Sequence, residues 1–112
     1  MTTRAVQQLK KKAQVLKAMA HPGRLAMLEA LAGGERCVCD LQKVVGSDMS
    51  TVSKHLSVMK RAGLVADRKE GLWVHYRLRV PCVLDFMTCV EAVLAADDAA
   101  APAGATPCCG RR

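Results

Sequence analysis

The spacing of apolar residues changes at Gly63, and no other feature of the sequence constrains the fold as strongly. Before this glycine, apolar residues recur every three or four positions, which is the period of amphipathic helices. From Leu72 to Arg79 they alternate with polar residues, which is the period of a half-buried strand. The sequence therefore predicts helices followed by a β-hairpin, with strands at residues 64–68 and 72–79 and a turn at residues 69–71.

Helical spacing predicts four helices before the hairpin and a fifth after it, which Pro81 opens. A short helix, a turn containing glycine and a second helix with a polar outer face form a helix-turn-helix, and a hairpin directly after them is typical of a wing. The first four helices are predicted at residues 4–20, at residues 22–32, in a short segment ending at Gly46, and at residues 49–62.

These elements predict a mainly α fold with a β-hairpin wing (α+β), that is, a winged helix-turn-helix. We expect one DNA-binding and dimerisation domain over residues 1–96, because the chain is too short for a second lobe. Residues 97–112 are predicted to form a disordered tail that contains cysteines, since small residues, proline and glycine dominate there.

Positive charge is concentrated in one part of the chain. The 112 residues include 17 Lys and Arg against 10 Asp and Glu, for a formal net charge of +7. Residues 54–79 alone hold seven basic and two acidic side chains, a net +5. Because phosphate neutralisation supplies most of the affinity for a duplex, this cluster predicts binding to double-stranded DNA.

The polar face of the fourth helix and the hairpin supply the candidate DNA contacts. Hydroxyl side chains on this helix are short enough to lie close to a groove wall and donate to phosphates or base edges. His55 sits at the margin of the polar face, where it could contact DNA or cap the core. The alternative for the whole face is an ordinary solvated helix surface. The candidate DNA-binding residues are Ser50, Thr51, Ser53, Lys54, His55, Ser57, Lys60, Arg61, Arg68, Lys69 and Arg77.

Two cysteines, Cys37 and Cys39, lie at the predicted start of the third helix. No signal peptide or membrane-spanning run is recognisable, so we expect a cytoplasmic protein with no membrane contact. Reduced thiols at close spacing then favour a soft ion or redox chemistry over a structural disulfide. Residues two apart on a helix differ by about 200° around its axis, so both sulfurs reach one ion only if the first turn is irregular or pulled apart. The alternative is that both are small buried side chains.

The other four cysteines offer further thiols. Cys82 and Cys89 are two helical turns apart, about 10 Å along the axis, which is too far for a shared ion or a disulfide and favours packing roles. Cys108 and Cys109 are adjacent in the tail. The three His are scattered and the sequence shows no pattern of catalytic residues, so we predict that the protein is not an enzyme.

The stretch CVCDLQKVVGSDMSTVSKHLSVMKRAGLVADRKEGLWVHYRL resembles the winged-helix repressors of the ArsR/SmtB metal-sensing family, specifically the branch that responds to trivalent arsenic and antimony. The resemblance covers about residues 15–79 and lies in the motifs CVCDL, STVSKHL, AGLV and WVHYRL. It implies a homodimer built from the first and last helices, which binds a palindromic operator and is released by an inducer. Broad apolar faces on the helices at both ends favour a dimer independently.

The resemblance also implies that As(III) or Sb(III) is the inducer, held by Cys37 and Cys39, with no catalytic cofactor. Thiolates suit such soft ions. Members of this branch often carry a third cysteine three positions after the second, where this chain has Gln42. Without a third thiolate the site would suit monomethylated trivalent arsenic. A third thiolate would come from an outside thiol such as glutathione, or from Cys82, Cys89, Cys108 or Cys109.

Two other interpretations stay open. Within the same fold, the CVC pair would suit a thiol-redox or persulfide sensor, or a cadmium or lead sensor. From a different class, it would suit a small thiol-disulfide oxidoreductase or a metalloid chaperone. A protein of that class needs no polar-faced helix followed by a basic wing, so a steep salt dependence of DNA binding separates it from a repressor.

Overall fold

The computed structural model describes residues 2–98, which form two compact units that divide between Arg79 and Val80. The described part of the second unit contains one helix, α5, Val83–Asp98. A single 3-10 turn, Leu31–Gly33, follows the second helix of the first unit. The first unit holds four helices and three strands, with the bounds α1 Thr3–Met19, α2 Pro22–Ala30, β1 Arg36–Cys37, α3 Val38–Val45, α4 Met49–Arg61, β2 Val65–Glu70 and β3 Trp73–Leu78.

Local signals explain where the first two helices begin. The Thr2 hydroxyl oxygen accepts a hydrogen bond from the backbone N–H of Ala5 and so caps α1. Pro22 opens α2, where its missing N–H costs nothing, and His21 Nδ1 accepts from the Gly23 backbone N–H at 2.9 Å. Both helices therefore begin within one residue of the predicted positions.

Gly46 ends α3 and turns the chain towards α4. Its φ of 78° lies in the left-handed region, which glycine adopts without the steric cost that a side chain adds. Its N–H donates to the Gln42 carbonyl at 2.8 Å and closes the last turn of α3. Asp48 has an extended backbone and stands directly before α4. The predicted helix-turn-helix is confirmed.

The inner face of α4 packs against α2 and α3. Val52, Leu56 and Met59 are fully buried, at the spacing predicted for an inward stripe. Full burial of an apolar side chain of this size contributes about 1.5–3 kcal/mol. This packing fixes which side of α4 faces outward. The other fully buried large side chains of the unit are Met27, Leu28, Leu41 and Val65.

The hairpin belongs to a three-stranded antiparallel sheet with the order β1-β3-β2. β2 pairs with β3 as far as Glu70 opposite Trp73, so the turn consists of residues 71 and 72. The predicted turn at residues 69–71 is therefore wrong, because Gly71, with a φ of 63°, permits a two-residue turn that strand alternation alone did not locate. The wing itself is confirmed.

β1 is a two-residue strand that the sequence did not predict. Arg36 pairs with Tyr76 and Cys37 pairs with His75. Two residues are too few to show an alternating pattern, so only pairing with a partner 38 or 40 positions away creates this strand. The strand places Cys37 at the edge of the wing sheet.

In the second unit, α5 begins two residues after Pro81, which was predicted to open it. Pro81 and Cys82 form a turn whose carbonyls accept from the backbone N–H groups of Leu84 and Asp85. The helix continues to Asp98, two residues beyond the predicted end of the domain. The rest of the predicted disordered tail lies outside the described residues.

Candidate nucleic-acid interface and thiol site

The N-terminus of α4 is organised by Asp48. Its carboxylate accepts hydrogen bonds from the Ser50 and Thr51 hydroxyls, and these bonds hold the pKa of Asp48 below its ordinary value. Two of the hydroxyl residues predicted to contact DNA are thus held in place at the start of the helix. A hydroxyl that donates to Asp48 still has lone pairs that can accept.

The outer face of α4 presents the polar residues predicted for it. Thr51 is half-buried, as expected for a residue beside the inward stripe. The face has the small hydroxyls towards the helix N-terminus and cations towards its C-terminus. The exposed candidates on this helix are Ser50, Ser53, Lys54, Ser57, Lys60 and Arg61.

Two of the predicted cationic contacts already have acidic partners. Lys60 Nζ lies 3.1 Å from Asp67 Oδ1. Arg68 donates to the Glu35 carboxylate from Nε at 2.9 Å and from one terminal nitrogen at 2.7 Å, and its other terminal nitrogen lies 3.3 Å from Glu70. These bonds raise the pKa of Arg68 and lower the pKa of Glu35.

Four other predicted cations differ from Lys60 and Arg68 in this respect. Among residues 2–98, Lys54, Arg61, Lys69 and Arg77 form no ion pair, and all four are exposed. Counting formal charge along the sequence could not separate them from Arg68, since Glu35 stands 33 residues before its partner.

His55 is the one candidate that lies inside the protein. It is 7% exposed, its ring contacts that of His21 with centroids 4.3 Å apart, and its Nδ1 accepts a hydrogen bond from Arg24 Nε at 3.0 Å. Of the two predicted alternatives, the core position is the one observed. Its inclusion among the DNA-binding candidates is corrected, because a ring buried on the inner face of α4 does not reach a groove.

The two thiols stand on different elements. Cys37 is extended, with φ −78° and ψ 160°, and forms the last residue of β1 and the cap of α3. Cys39 lies in the first turn of α3. Both are free thiols and both are half-buried. Because Cys37 is not helical, the 200° separation expected for two helical residues does not apply to this pair.

The thiol site is continuous with the wing. Cys37 lies opposite His75 on β3, and His75 lies opposite Arg68 on β2. The Arg68–Glu35 ion pair also joins the wing to the residue just before β1. Local sequence patterns do not reveal this connection, because Cys37 and His75 are 38 positions apart, Glu35 and Arg68 are 33 positions apart, and β1 has no pattern of its own.

The structure describes two of the other four cysteines. Cys82 is exposed in the turn before α5, and Cys89 lies on α5. Cys108 and Cys109 lie outside the described residues. Within residues 2–98 no three His, Cys, Asp or Glu side chains cluster closely enough to hold a metal ion. No helix in this range is both long and apolar enough to cross a membrane.

Comparison with known proteins defines the family. A sequence profile described as "Bacterial regulatory protein, arsR family" matches residues 21–67. The chain is similar to the solved homodimeric winged helix-turn-helix DNA-binding domain of a possible ArsR-family transcriptional regulator from Mycobacterium bovis. The two are 33% identical with a TM-score of 0.74, and the match covers 87% of this chain and 90% of that one. The chain belongs to the ArsR family.

Two relatives have names that mention resistance to arsenicals or to cadmium. The arsenical resistance operon repressor of Escherichia coli (strain K12) is 42% identical over 66 residues, or 58% of this chain and 56% of the relative. A cadmium resistance transcriptional regulatory protein CadC homolog from Staphylococcus aureus is 39% identical over 67 residues, or 59% of this chain and 55% of the relative. The match thus spans little more than half of each relative. By name, both are regulators of resistance and neither is an enzyme.

Proposed function

We propose that this ArsR-family chain is a cytoplasmic transcriptional repressor that binds operator DNA as a homodimer and is released by trivalent arsenic or antimony bound at Cys37 and Cys39. One observation carries the proposal: Cys37 lies in a strand of the wing sheet, and Cys39 lies in the helix that precedes α4. An ion that draws the two sulfurs together would strain the edge of the wing sheet and the start of α3, the helix that leads into α4.

The DNA surface proposed here combines the outer face of α4 with the wing. Short hydroxyl side chains at the start of α4 suit contacts to base edges and phosphates in the major groove. The unpaired cations on α4 and on the hairpin suit the flanking phosphates. The surface consists of Ser50, Thr51, Ser53, Lys54, Ser57, Arg61, Lys69 and Arg77, with Lys60 as a residue already paired to Asp67.

A homodimer is supported by apolar side chains that α1 and α5 leave exposed. On α1 these are Leu9 and Leu16, at 47% and 48% exposure. The Mycobacterium bovis domain is described as homodimeric. Two-fold symmetry would present two α4 helices to half-sites about one DNA turn, roughly 34 Å, apart. On α5 the exposed apolar residues are Phe86, Val90, Val93 and Leu94.

Release by an ion requires that the ion bind the DNA-incompetent state more tightly. A tenfold loss of operator affinity needs about 1.4 kcal/mol of differential binding. Trivalent arsenic and antimony are soft and favour thiolates. The name of the Escherichia coli relative supports arsenic as the signal for this chain.

The test is a fluorescence-anisotropy titration of the full chain with a labelled duplex from its own promoter, with and without arsenite. We expect the wild-type dissociation constant to rise at least tenfold with arsenite. For Cys37→Ser and Cys39→Ser, the ratio of the constants with and without arsenite should fall to about one. Release of both variants at the wild-type arsenite concentration would contradict the proposed site. The same titration with Cys82→Ser shows whether that exposed thiol is the third ligand.

The similarity to the cadmium resistance regulator homolog favours one second candidate, a cadmium or lead sensor that uses the same thiols. Cadmium is also thiophilic. A titration with Cd²⁺ in place of arsenite distinguishes the two, because release by Cd²⁺ at lower concentrations than arsenite would favour the second candidate. A chaperone or oxidoreductase would show no steep salt dependence of DNA binding at all.

A further inference from the structure

A single guanidinium connects three helices on the inner side of α4. Arg24, near the start of α2, donates from Nε to His55 Nδ1 on α4 at 3.0 Å. One of its terminal nitrogens also donates to the backbone carbonyls of Lys17 and Ala18 at 3.3 and 3.4 Å, in the last turn of α1. Carbonyls in the last turn of a helix attract cations, because they lie at the negative end of the helix dipole. Arg24 therefore ties the end of α1 to the buried face of the helix proposed to read DNA.

The acceptor of this contact is the only buried polar side chain among the described residues. His55 lies among Val52, Leu56 and Met59 on the buried side of α4. Its ring also stands against the ring of His21, which caps α2. An apolar side chain would fill such a position without the cost of burying a polar group. The presence of an imidazole at this buried position is therefore best explained by the hydrogen bonds of its ring nitrogens.

The hydrogen bonds determine the protonation state that the fold accepts. Nδ1 accepts from Arg24, so in the neutral ring the proton lies on Nε2. Nε2 is buried and has no hydrogen-bond partner within residues 2–98. A second proton would have to go to Nδ1, and the ring could then no longer accept from Arg24. Protonation and the Arg24 contact exclude each other.

We propose that His55 is a positioning residue for operator binding: its neutral imidazole locks α4 to the α1–α2 junction through Arg24, and uptake of one proton opens this lock and weakens binding to the operator. The inference rests on the proposed function only in that α4 reads DNA. It does not involve the thiols or an inducing ion.

The electrostatic surroundings agree with this lock. Burial, and then the electrostatic effects of His21 and of the Arg24 guanidinium, hold the pKa of His55 below its ordinary value. Among the described residues, these two from α2 and its cap are the charged or titratable groups that act on that pKa; α1 contributes the Lys17 and Ala18 carbonyls, and α3 and β2 contribute no group to it.

The lock has a pH dependence of definite sign. While the Arg24 contact is made, the pKa of His55 is held below its ordinary value. Protons therefore bind preferentially to the state in which this contact is broken, and the lock is lost as the pH falls. One titrating ring changes the affinity by at most about tenfold per pH unit.

The test is the operator dissociation constant of the full chain between pH 7.5 and pH 5.5 at constant ionic strength. Because the proposed homodimer carries two His55 rings, we expect it to rise at least about threefold for the wild type. In His55→Gln, a side-chain amide oxygen can accept from Arg24 and does not titrate, so the ratio of the constants at pH 5.5 and pH 7.5 should approach one. A second variant, Arg24→Gln, removes the donor of the contact, so its ratio should also approach one.

A second measurement keeps the proposal testable if His55→Gln does not fold. In the wild type, the NMR chemical shifts of the two ring nitrogens report the tautomer and the pKa of His55. We expect an unprotonated Nδ1 at pH 7.5 and a protonation on acidification that coincides with the loss of operator affinity. An unchanged pH ratio in folded His55→Gln, or a His55 titration unconnected with affinity, would overturn the lock. If the wild type at pH 7.5 does not bind its operator, or binds it without a salt dependence, the result contradicts the proposed function and not the role of His55.

Discussion

The substitutions Arg77→Gln and Arg68→Gln should affect the salt dependence of operator binding differently. Both residues are exposed arginines on neighbouring strands of the wing. Arg77 has no ion-pair partner among the described residues, whereas Arg68 is held by Glu35 and Glu70. A phosphate contact displaces condensed counterions, and an arginine already neutralised by carboxylates displaces few.

The magnitude follows from the number of unpaired cations. Lys54, Arg61, Lys69 and Arg77 on each protomer would give about eight phosphate contacts per dimer and a slope of log K against log salt near −7. Arg77→Gln removes about two of these contacts per dimer, so the slope should weaken by about 1.8. Arg68→Gln should leave the slope nearly unchanged, because Glu35 and Glu70 already neutralise its guanidinium.

The assay is anisotropy of the labelled operator from 50 to 300 mM salt at constant pH, without inducer. The two variants differ from wild type by the same charge and serve as controls for each other. Equal changes of slope in the two variants would refute the argument that the ion pairs with Glu35 and Glu70 remove Arg68 from the DNA surface.

Four further predictions concern stability and local environment. Leu56→Ala should lower the free energy of unfolding by about 2–5 kcal/mol in a denaturant titration, because the side chain is fully buried; a smaller loss would mean that its site collapses. Gly46→Ala should destabilise by about 1 kcal/mol, since its φ of 78° is strained for alanine, and an unchanged melting temperature would contradict this. Trp73, the only tryptophan and 56% exposed on the wing, should change its fluorescence when operator is added. Burial raises the pKa of Tyr76, so stability should fall as the pH rises above about 10, and absorbance near 295 nm should show the phenol ionising above its ordinary value.

Some elements could be predicted because their signals lie close together in the chain. The inward stripe of α4 follows helical spacing, and Gly46 marks the end of α3 through its own backbone conformation. The hairpin follows from alternation over residues 72–79. Its turn was misplaced because the register depends on cross-strand pairing up to Glu70 opposite Trp73, which alternation in one strand does not specify.

The sequence predicted which types of residue form the candidate site more fully than it predicted their arrangement in space. The polar face of α4 and the CVC pair are visible in the sequence. That Cys37 is extended and joined to β3 depends on His75, 38 positions later. That His55 is buried, although it stands at the edge of the polar face, depends on Arg24 and on the packing of α2 against α4.

The order of helices and strands, the polar face of α4 and the excess of positive charge were determined by the sequence itself, because period, caps and composition act over a few neighbouring residues. Only the tertiary structure decided which cations are neutralised, where the first thiol lies and which way His55 faces. Each of these depends on a partner about 30 or more positions away, as for Arg68 with Glu35 and His55 with Arg24. Such contacts form only when the chain is folded, so no local pattern could record them.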